Sequence, residues 1–298
     1  MRTKSYLISI ALAGCTICHP SDSHAQESDV ALAHIKYEFV HVDDTNFRDN
    51  PRKEDMMLYI GERTTMYNSF TLAATLEKMK KDLAAKQGGR FFVNSPNISN
   101  EVLYLFPRES KAFTVNRLGT STYIIPQEYP QIDWQIGGET KEIGGYQCQQ
   151  ATGTFGGRHY TVWFTTELPF PYGPWKLHGL PGLILEAADS QQEVVFRYAG
   201  FDKESGGDIA LALPEDALTT TAKEFAKAKA AFDKNPTANA LRNIDVPAGA
   251  NVQRKIVLKD QNGRELSPEE FNAMREMAMK EGKIKKPNNP LELGDGGR

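Results

Sequence analysis

The side chains best suited to binding or chemistry lie in one aromatic segment that is also rich in glycine and proline, residues 163–184. A strand pattern ends there at Pro169, and a turn stiffened by further prolines follows. The candidate binding residues are Trp163, Tyr172, Trp175 and His178. If the turn is exposed, its aromatic rim contacts a ligand or a partner. If it is buried, it is a corner that locks two strands together, which is the usual role of such residues and the one we favour.

A second set of residues would form a hydrolytic site if the fold brought them into one cleft with shifted pKa values. This set consists of Arg158, Glu167, Tyr172, His178 and Asp189. The sequence lacks the GxSxG, P-loop, HExxH and CxxC patterns that mark common catalytic and metal sites. We therefore favour a non-catalytic protein and assign no catalytic residue, metal ligand or cofactor.

The overall composition is that of a globular protein and limits the classes of partner. The chain has 298 residues, 40% of them hydrophobic, and a net charge of −3. A pI near 6.1 provides no basic stripe for nucleic-acid phosphates, so we expect no nucleic-acid partner. Three cysteines are too few for a disulfide scaffold. Cys148 lies at an alternating strand position, and we expect it to be a small buried side chain.

The first 25 residues have the pattern of an export signal. Arg2 and Lys4 precede an apolar run that is too short to span a bilayer, which needs ~20 residues. Cleavage after Ser23-His24-Ala25 would release a periplasmic or secreted chain that begins at Gln26. The stretch 12–15 instead resembles a lipobox, in which Cys15 would be lipidated and would anchor the protein to a membrane. We favour the first site, and no other segment is apolar enough to cross a membrane.

Apolar runs separated by turn residues dominate residues 26–213. Ile35, Tyr37 and Phe39 alternate with polar residues, as in a strand with one buried face. Glycine pairs such as Gly144-Gly145 and Gly156-Gly157 separate later runs at hairpin spacing. This pattern predicts a mainly β (α+β) fold with an antiparallel, curved sheet. One amphipathic helix at about residues 70–87 interrupts it, with Leu72, Leu76, Met79 and Leu83 on one face.

The composition changes after the β domain. Residues 214–282 form a predicted extension with two helices and a strand. A Thr221-x-x-Glu224 capping box begins the first helix, Val252–Leu258 has a strand pattern, and Ser267-Pro268 begins the second helix. Residues 283–298 are basic, then rich in asparagine and proline, then rich in glycine, and we expect a flexible tail there.

The aromatic segment ends in a specific motif. Gly179, Leu180, Pro181, Gly182, Leu183 and Ile184 spell GLPGLI, and the chain resembles the GLPGLI family from about residue 35 to residue 293. Family-like features include Trp134-x-Ile136, Gly145-Tyr146-x-Cys148, Gly157-Arg158 and the closing Asn289–Leu293. The stretch 245–263 and the end after residue 293 carry no such feature. The resemblance implies a secreted or envelope protein of Gram-negative bacteria and leaves the biochemical role open.

Together these observations favour an exported, non-catalytic envelope protein that binds a peptide, a lipid-like molecule or an envelope protein partner. The pattern is loosely similar to periplasmic lipoprotein carriers, which is an analogy of fold only. A large cavity lined by apolar side chains would support a lipid-like ligand, and a packed interior would favour a protein partner. A hydrolase built on the five residues above is the alternative, and an adhesive or structural role would require a free strand edge or an exposed apolar patch.

Overall fold

The structure is a computed structural model that describes residues 29–85, 99–202, 209–233, 258–259, 264–283, 285 and 287–293. Its strands are β1 (Ala33–His41), β2 (Arg52–Ile60), β3 (Thr65–Ser69), β4 (Glu101–Phe106), β5 (Lys111–Leu118), β6 (Ser121–Gln127), β7 (Gln135–Ile143), β8 (Tyr146–Phe155), β9 (Arg158–Thr165), β10 (Leu183–Asp189), β11 (Val194–Asp202), β12 (Leu218–Thr219), β13 (Leu258–Lys259) and β14 (Glu265–Leu266). Strands β1 to β12 form one sheet in the order β12-β6-β5-β4-β3-β2-β1-β11-β10-β9-β8-β7.

The predicted mainly β fold is confirmed. Neighbouring strands of the large sheet pair antiparallel, apart from the short parallel pair of β12 with β6. One helix, α1 (Phe70–Ala85), is inserted between β3 and β4, where the apolar periodicity predicts it. The short and partly polar strand β3 has no clear alternation in the sequence, and only its pairing with β2 and β4 identifies it as a strand.

Apolar side chains cover both faces of the central strands. Ile35, Tyr37 and Phe39 of β1 are at most 2% exposed and belong to the larger core cluster. Side chains alternate between faces along a strand, so Leu103 packs in this cluster while the adjacent Tyr104 packs in a smaller cluster on the other face. The segment between β9 and β10 covers the larger cluster, and residues 209–217 cover the smaller one.

A gap between β2 and β4 opens where β3 ends. Strand β3 pairs with β2 only along Met56–Ile60 and then leaves the sheet to begin α1, whose Leu72 amide donates a hydrogen bond to the hydroxyl oxygen of Ser69. Among the described residues, Arg52 to Asp55 at the start of β2 therefore have no strand partner on that side. Thr71 of α1 accepts the hydrogen bond of the Asp55 amide instead. This gap shapes the cleft described below.

Both predicted C-terminal helices are present. They are α2 (Ala222–Asp233) and α3 (Pro268–Lys280), and each begins with the predicted capping box, Thr221 with Glu224 and Ser267 with Glu270. Of the predicted strand 252–258, only Leu258 is described, as part of β13. The predicted signal peptide (residues 1–25) and Cys15 lie outside the described residues.

The last described segment differs from the expected flexible tail. Residues 287–293, here called the C-terminal strap, lie across one end of the large sheet, and Asn289 within them is only 2% exposed. The Asn289 amide donates to the carbonyl of Asp43 after β1, and the Leu293 amide donates to the carbonyl of Gly156 between β8 and β9. These hydrogen bonds, together with the packing of Leu291 against the larger core cluster, hold the strap in place.

Candidate functional site

The aromatic segment forms a buried corner. Trp175 is 6% exposed, adopts a left-handed backbone conformation and packs edge-on against Phe155. Leu177 and Leu180 beside it belong to the larger core cluster. The exposed aromatic rim of the alternative interpretation is therefore absent at Trp175, because its ring contributes to the core.

Tyr172 and His178 are half-buried, and His178 is held by two neighbours. Its Nε2 atom lies 3.0 Å from the carbonyl oxygen of Pro130, and its own carbonyl accepts a hydrogen bond of 2.8 Å from the indole of Trp134. The ring contacts Tyr129, with 5.0 Å between ring centroids. Burial lowers the pKa of His178. These contacts orient His178 within the fold.

Trp163 and the GLPGLI motif complete this corner. Trp163 on β9 is half-buried, and the ammonium group of Lys141 lies 4.5 Å from its ring centroid. The backbone of Gly182 passes against Thr165, so that any Cβ atom there would overlap the carbonyl oxygen of Thr165. Leu183 and Ile184 follow at 0% exposure. The motif thus brings β10 against β9, as the corner interpretation predicts.

Two residues of the hypothetical hydrolytic set come together in a buried polar cluster. Arg158 donates to Asp189 at 2.7 Å and to Glu193 at 3.3 Å, and all three are at most 3% exposed. Arg48 forms a further ion pair with Glu193. Burial favours the neutral form of Glu193, but hydrogen bonds from Arg158, Asn289 and Arg48 outweigh it and lower the pKa.

The other members of that set make separate contacts. The exposed Glu167 accepts a hydrogen bond from the backbone amide of Gln147. Tyr172 lies in the aromatic corner, where its amide donates to the carbonyl of Phe170. Among the described residues, Arg158 pairs with Asp189, whereas Glu167 and His178 each contact other parts of the chain.

Arg158 anchors the C-terminal strap. Its guanidinium donates three hydrogen bonds to the strap: to the carbonyl oxygens of Pro290 and Leu291 and to the side-chain oxygen of Asn289. Asn289 in turn donates to the carbonyl of Val42 and to Glu193. The motif Gly157-Arg158 and the closing Asn289–Leu293, both family-like features of the sequence, therefore form one contact.

An open cleft of about 700 Å³, the outer cleft, lies between the strap and the gap beside β2. Nine of its twelve lining residues have polar or charged side chains. The lining residues are His41, Asp43, Arg52, Ser99, Asn100, Glu101, Asn116, Pro287, Asn288, Asn289, Pro290 and Leu291. The strap supplies one wall, and the ends of β1, β2, β4 and β5 supply the others.

His41 is buried in the wall of the outer cleft without satisfied ring nitrogens. It is 4% exposed, and neither ring nitrogen has a hydrogen-bond partner within the described part of the chain. Burial lowers its pKa to about 4, and the nearby positive charge of Arg52 acts in the same direction. The ring is therefore neutral near pH 7 and offers one donor and one acceptor.

Three further polar atoms, one of Arg52 and two of its neighbours, are buried without a hydrogen-bond partner among the described residues. They are Nε of Arg52, a carboxylate oxygen of Glu54 and the hydroxyl of Tyr67. The Arg52 and Glu54 atoms are 3.9 Å apart, which is too far for a hydrogen bond. Burial raises the pKa of Tyr67 well above its usual value, and Tyr37 and Glu54 add to this while Arg52 opposes it. Buried polar atoms without partners are uncommon in folded proteins, and a bound ligand or water would satisfy them.

A smaller cavity of about 40 Å³, the inner chamber, adjoins the outer cleft. Arg52, Ser99, Glu101 and Leu291 line both cavities. The remaining chamber walls are Phe39, Met56, Tyr67, Leu103, Trp175 and Phe196. Trp175, a binding candidate from the sequence, thus contributes one wall of the inner chamber.

Sequence reasoning missed most of this site. His41 and Arg52 face each other across the β1–β2 pair, but Glu101, Asn116 and the strap join them from distant parts of the chain. The family-like tail Asn289–Leu293 was the one available signal, since it marks the strap. Cys148, as expected, is buried at 1% exposure, which raises its pKa to about 11.

The described residues contain no group of three or more histidine, cysteine, aspartate or glutamate side chains arranged to hold a metal ion. Among the same residues, no helix has both the length and the apolar character needed to cross a membrane.

No protein-family model matches the chain, and no curated protein matches it either. Solved structures of PNGF-II in the P21 and C2 space groups are similar to it at a TM-score of 0.44, with 15% and 13% sequence identity. The matches cover 65% and 67% of this chain and 32% of the PNGF-II chains, so this chain spans about a third of their length. At these values the likeness supports no assignment of function.

Proposed function

We propose that the protein is an exported, non-catalytic envelope protein, a member of the GLPGLI family, that binds a peptide in the outer cleft. One observation carries this proposal: an open polar cleft of about 700 Å³ is bordered by buried hydrogen-bonding groups that have no partner among the described residues. Ligand sites in proteins are commonly clefts of ~300–1,000 Å³ in which a few polar groups converge.

The chemistry of the cleft favours a peptide over a lipid-like molecule. A peptide backbone carries a donor and an acceptor in every residue, which matches the amide side chains of Asn100, Asn116 and Asn288 in the wall. Each of these side chains already makes a hydrogen bond within the protein: Asn100 donates to the carbonyl of Arg117, and Asn116 donates to Glu101. Asn288 donates to Asp44 and accepts from the Thr45 amide. An acyl chain would cover their remaining donors and acceptors with apolar surface and leave those without partners. The more enclosed cavity, at about 40 Å³, is far smaller than the several hundred cubic ångströms that a lipid tail needs.

The buried Arg158 cluster supports binding indirectly, by holding the strap that forms one wall. Asp189 and Glu193 fix the guanidinium, and the guanidinium holds the carbonyls of Pro290 and Leu291. In this proposal Arg158 and Asp189, the pair shared with the hydrolase alternative, are positioning residues and do not touch the ligand.

The binding proposal is tested with a pool of random pentapeptides and native mass spectrometry. We expect wild-type protein to retain peptides, and Arg52→Ala to retain at most about a tenth as much, because the variant loses cleft contacts with a charged group. Arg197→Ala is the control, since Arg197 lies on β11 and is exposed. Retention of no peptide by the wild type, or equal loss in both variants, would contradict the proposal.

The export proposal is tested by the intact mass of the protein purified from the cells that produce it. We expect a chain that begins at Gln26, as in a periplasmic or secreted protein. A chain that begins at a lipidated Cys15 would place the same cleft on a membrane-anchored lipoprotein. An N-terminus at Met1 would contradict export.

A further inference from the structure

We propose, on the basis of the proposed peptide-binding function, that the inner chamber takes a primary carboxamide group of the ligand, such as the side chain of glutamine or asparagine. The outer cleft would then hold the backbone, and the chamber would select the side chain. Three observations lead to this group: the unpartnered atoms, the chamber volume and the balance of charge.

The unpartnered atoms around the chamber include both donors and acceptors. Nε of Arg52 is a donor, the free carboxylate oxygen of Glu54 is an acceptor, and the Tyr67 hydroxyl can serve as either. Tyr67 is 6% exposed and lines the chamber, so its hydroxyl is buried beside the space that the ligand would fill. A carboxamide has one carbonyl oxygen and two N–H donors, so it can bond to Arg52 and to Tyr67, which both line the chamber. Glu54 lies beside Arg52 and is not itself part of the chamber wall.

The chamber volume fits a group of this size. A single water needs at least ~10–15 Å³ of such space, so about 40 Å³ accommodates about three heavy atoms. The carbon, oxygen and nitrogen of a carboxamide are three heavy atoms in one plane. Phe39, Trp175 and Phe196 supply flat aromatic walls for such a planar group.

The charges around the chamber disfavour an ionised group of either sign. Arg52 and Glu101 both line the chamber, and Glu54 lies beside Arg52. A ligand carboxylate would therefore meet the like charge of Glu101 as well as the opposite charge of Arg52. A ligand ammonium group would face the guanidinium of Arg52, whose Nε atom is buried. A neutral group that both donates and accepts avoids both repulsions.

Three pentapeptides that differ only at their central residue test this inference by calorimetry. They are Ala-Ala-Gln-Ala-Ala, the same peptide with glutamate, and the same peptide with homoleucine, which has the shape of glutamine without its polar atoms. We expect the glutamine peptide to bind at least about tenfold more tightly than either of the others, because only it satisfies the buried donor and acceptor.

Two variants locate the selection in the chamber. Tyr67→Phe removes one hydroxyl, and Arg52→Lys removes the Nε donor but keeps the charge; each is expected to reduce the preference for glutamine to about threefold or less. Tyr104→Phe is the matched control, because Tyr104 is also a buried tyrosine but packs in the cluster on the other face of the sheet. We expect it to keep the full preference, and the thermal unfolding of each variant confirms that it is folded.

The outcomes separate this inference from the function on which it rests. Equal affinities for the three peptides, or tighter binding of the glutamate peptide, would overturn the carboxamide site and leave peptide binding intact. Binding of the random pool without binding of any of the three peptides would overturn the carboxamide site as well. Failure of both the pool and the three peptides would overturn peptide binding itself.

Discussion

At the scale of single residues, two buried polar side chains differ in how their hydrogen-bonding groups are satisfied. Arg158 keeps its charge and satisfies it with two carboxylates and three strap oxygens. His41 is neutral, and its ring nitrogens have no partner of hydrogen-bond geometry among the described residues, although the backbone of Asn289 lies close enough to favour protonation of the ring. The first arrangement is that of a structural anchor, and the second is that of a group available to a ligand.

His41 makes stability depend on pH in the acid range. Its pKa is about 4 in the folded protein and ~6.5 when unfolded, so the unfolded chain binds an extra proton between these values. The contribution of His41 to the free energy of unfolding is fully present above about pH 6.5. It is lost as the pH falls to about 4, by up to ~3 kcal/mol in the free energy of unfolding. Arg52 and Arg158 oppose protonation of the ring, and Asp43 favours it.

Urea unfolding of His41→Leu at several pH values checks this expectation. The unfolding free energy of the wild type should fall relative to that of the variant, by up to ~3 kcal/mol, as the pH falls from 6.5 to 4. His159→Leu is the control, because His159 is exposed. If the difference in unfolding free energy between the wild type and His41→Leu stays constant over this range, the buried ring is not neutral as described.

Removal of the Arg158 side-chain charge should destabilise the protein strongly. Arg158→Met leaves Asp189 and Glu193 buried with fewer partners and frees the strap, so we expect a loss of about 3–5 kcal/mol in the free energy of unfolding. Arg197→Met removes an exposed arginine and should change it by no more than about 0.5 kcal/mol. Urea denaturation measures both, and a loss below about 1 kcal/mol for Arg158→Met would show that the cluster does not anchor the fold.

At the scale of elements, the GLPGLI corner and the strap have complementary roles. The corner brings β10 against β9 from within, and the strap closes the end of the sheet from outside. They meet where Lys176 of the corner forms an ion pair with Glu292 of the strap. Both are irregular segments whose order depends on close packing and hydrogen bonds.

The close approach of Gly182 to Thr165 predicts that alanine variants at two glycines differ sharply in stability. Gly182→Ala would force its new methyl group into the carbonyl of Thr165, and we expect a loss of about 2–4 kcal/mol in the free energy of unfolding. Gly138→Ala meets no atom within 4 Å and should change it by less than about 0.5 kcal/mol. Thermal or urea unfolding compares the two, and similar small losses would show that the motif is not held by this contact.

The elements were far more predictable from the sequence than the site. Alternation along β1 and the capping boxes of α2 and α3 are local signals, and each produced the predicted element. The strap is held by contacts that span more than 130 residues, such as Arg158 with Leu291 and with Asn289, so no local pattern could reveal its order. Trp175 was identified as a candidate by its type, but only the packing shows that it lies behind the inner chamber.

At the scale of the whole molecule, the distribution of polar and apolar surface decides the class of ligand. The sheet buries apolar side chains on both faces. The large opening at its end is lined mainly by polar and charged residues, but it exposes polar and apolar surface in similar amounts. A protein with this distribution is suited to a ligand that makes many hydrogen bonds. Selection of a side chain at the inner chamber would add specificity to that general affinity.

This distribution predicts that a fatty acid does not compete for the cleft. Addition of a sixteen-carbon fatty acid should leave the binding of the pentapeptide pool unchanged. The more enclosed cavity of the site is only about 40 Å³, and the larger cleft is open to solvent, so the acyl chain would stay largely hydrated. Native mass spectrometry with both ligands present measures the competition. Displacement of the peptides by the fatty acid would favour the lipid-like ligand instead.

The most direct test of the central claim is hydrogen–deuterium exchange with and without the pentapeptide pool. If the cleft binds peptides, exchange should slow in the segments that form its walls, residues 99–101 and 287–291. Exchange in the aromatic corner, residues 170–174, should stay the same. Slower exchange confined to the aromatic corner, or no change in either region, would contradict the assignment of the cleft as the binding site.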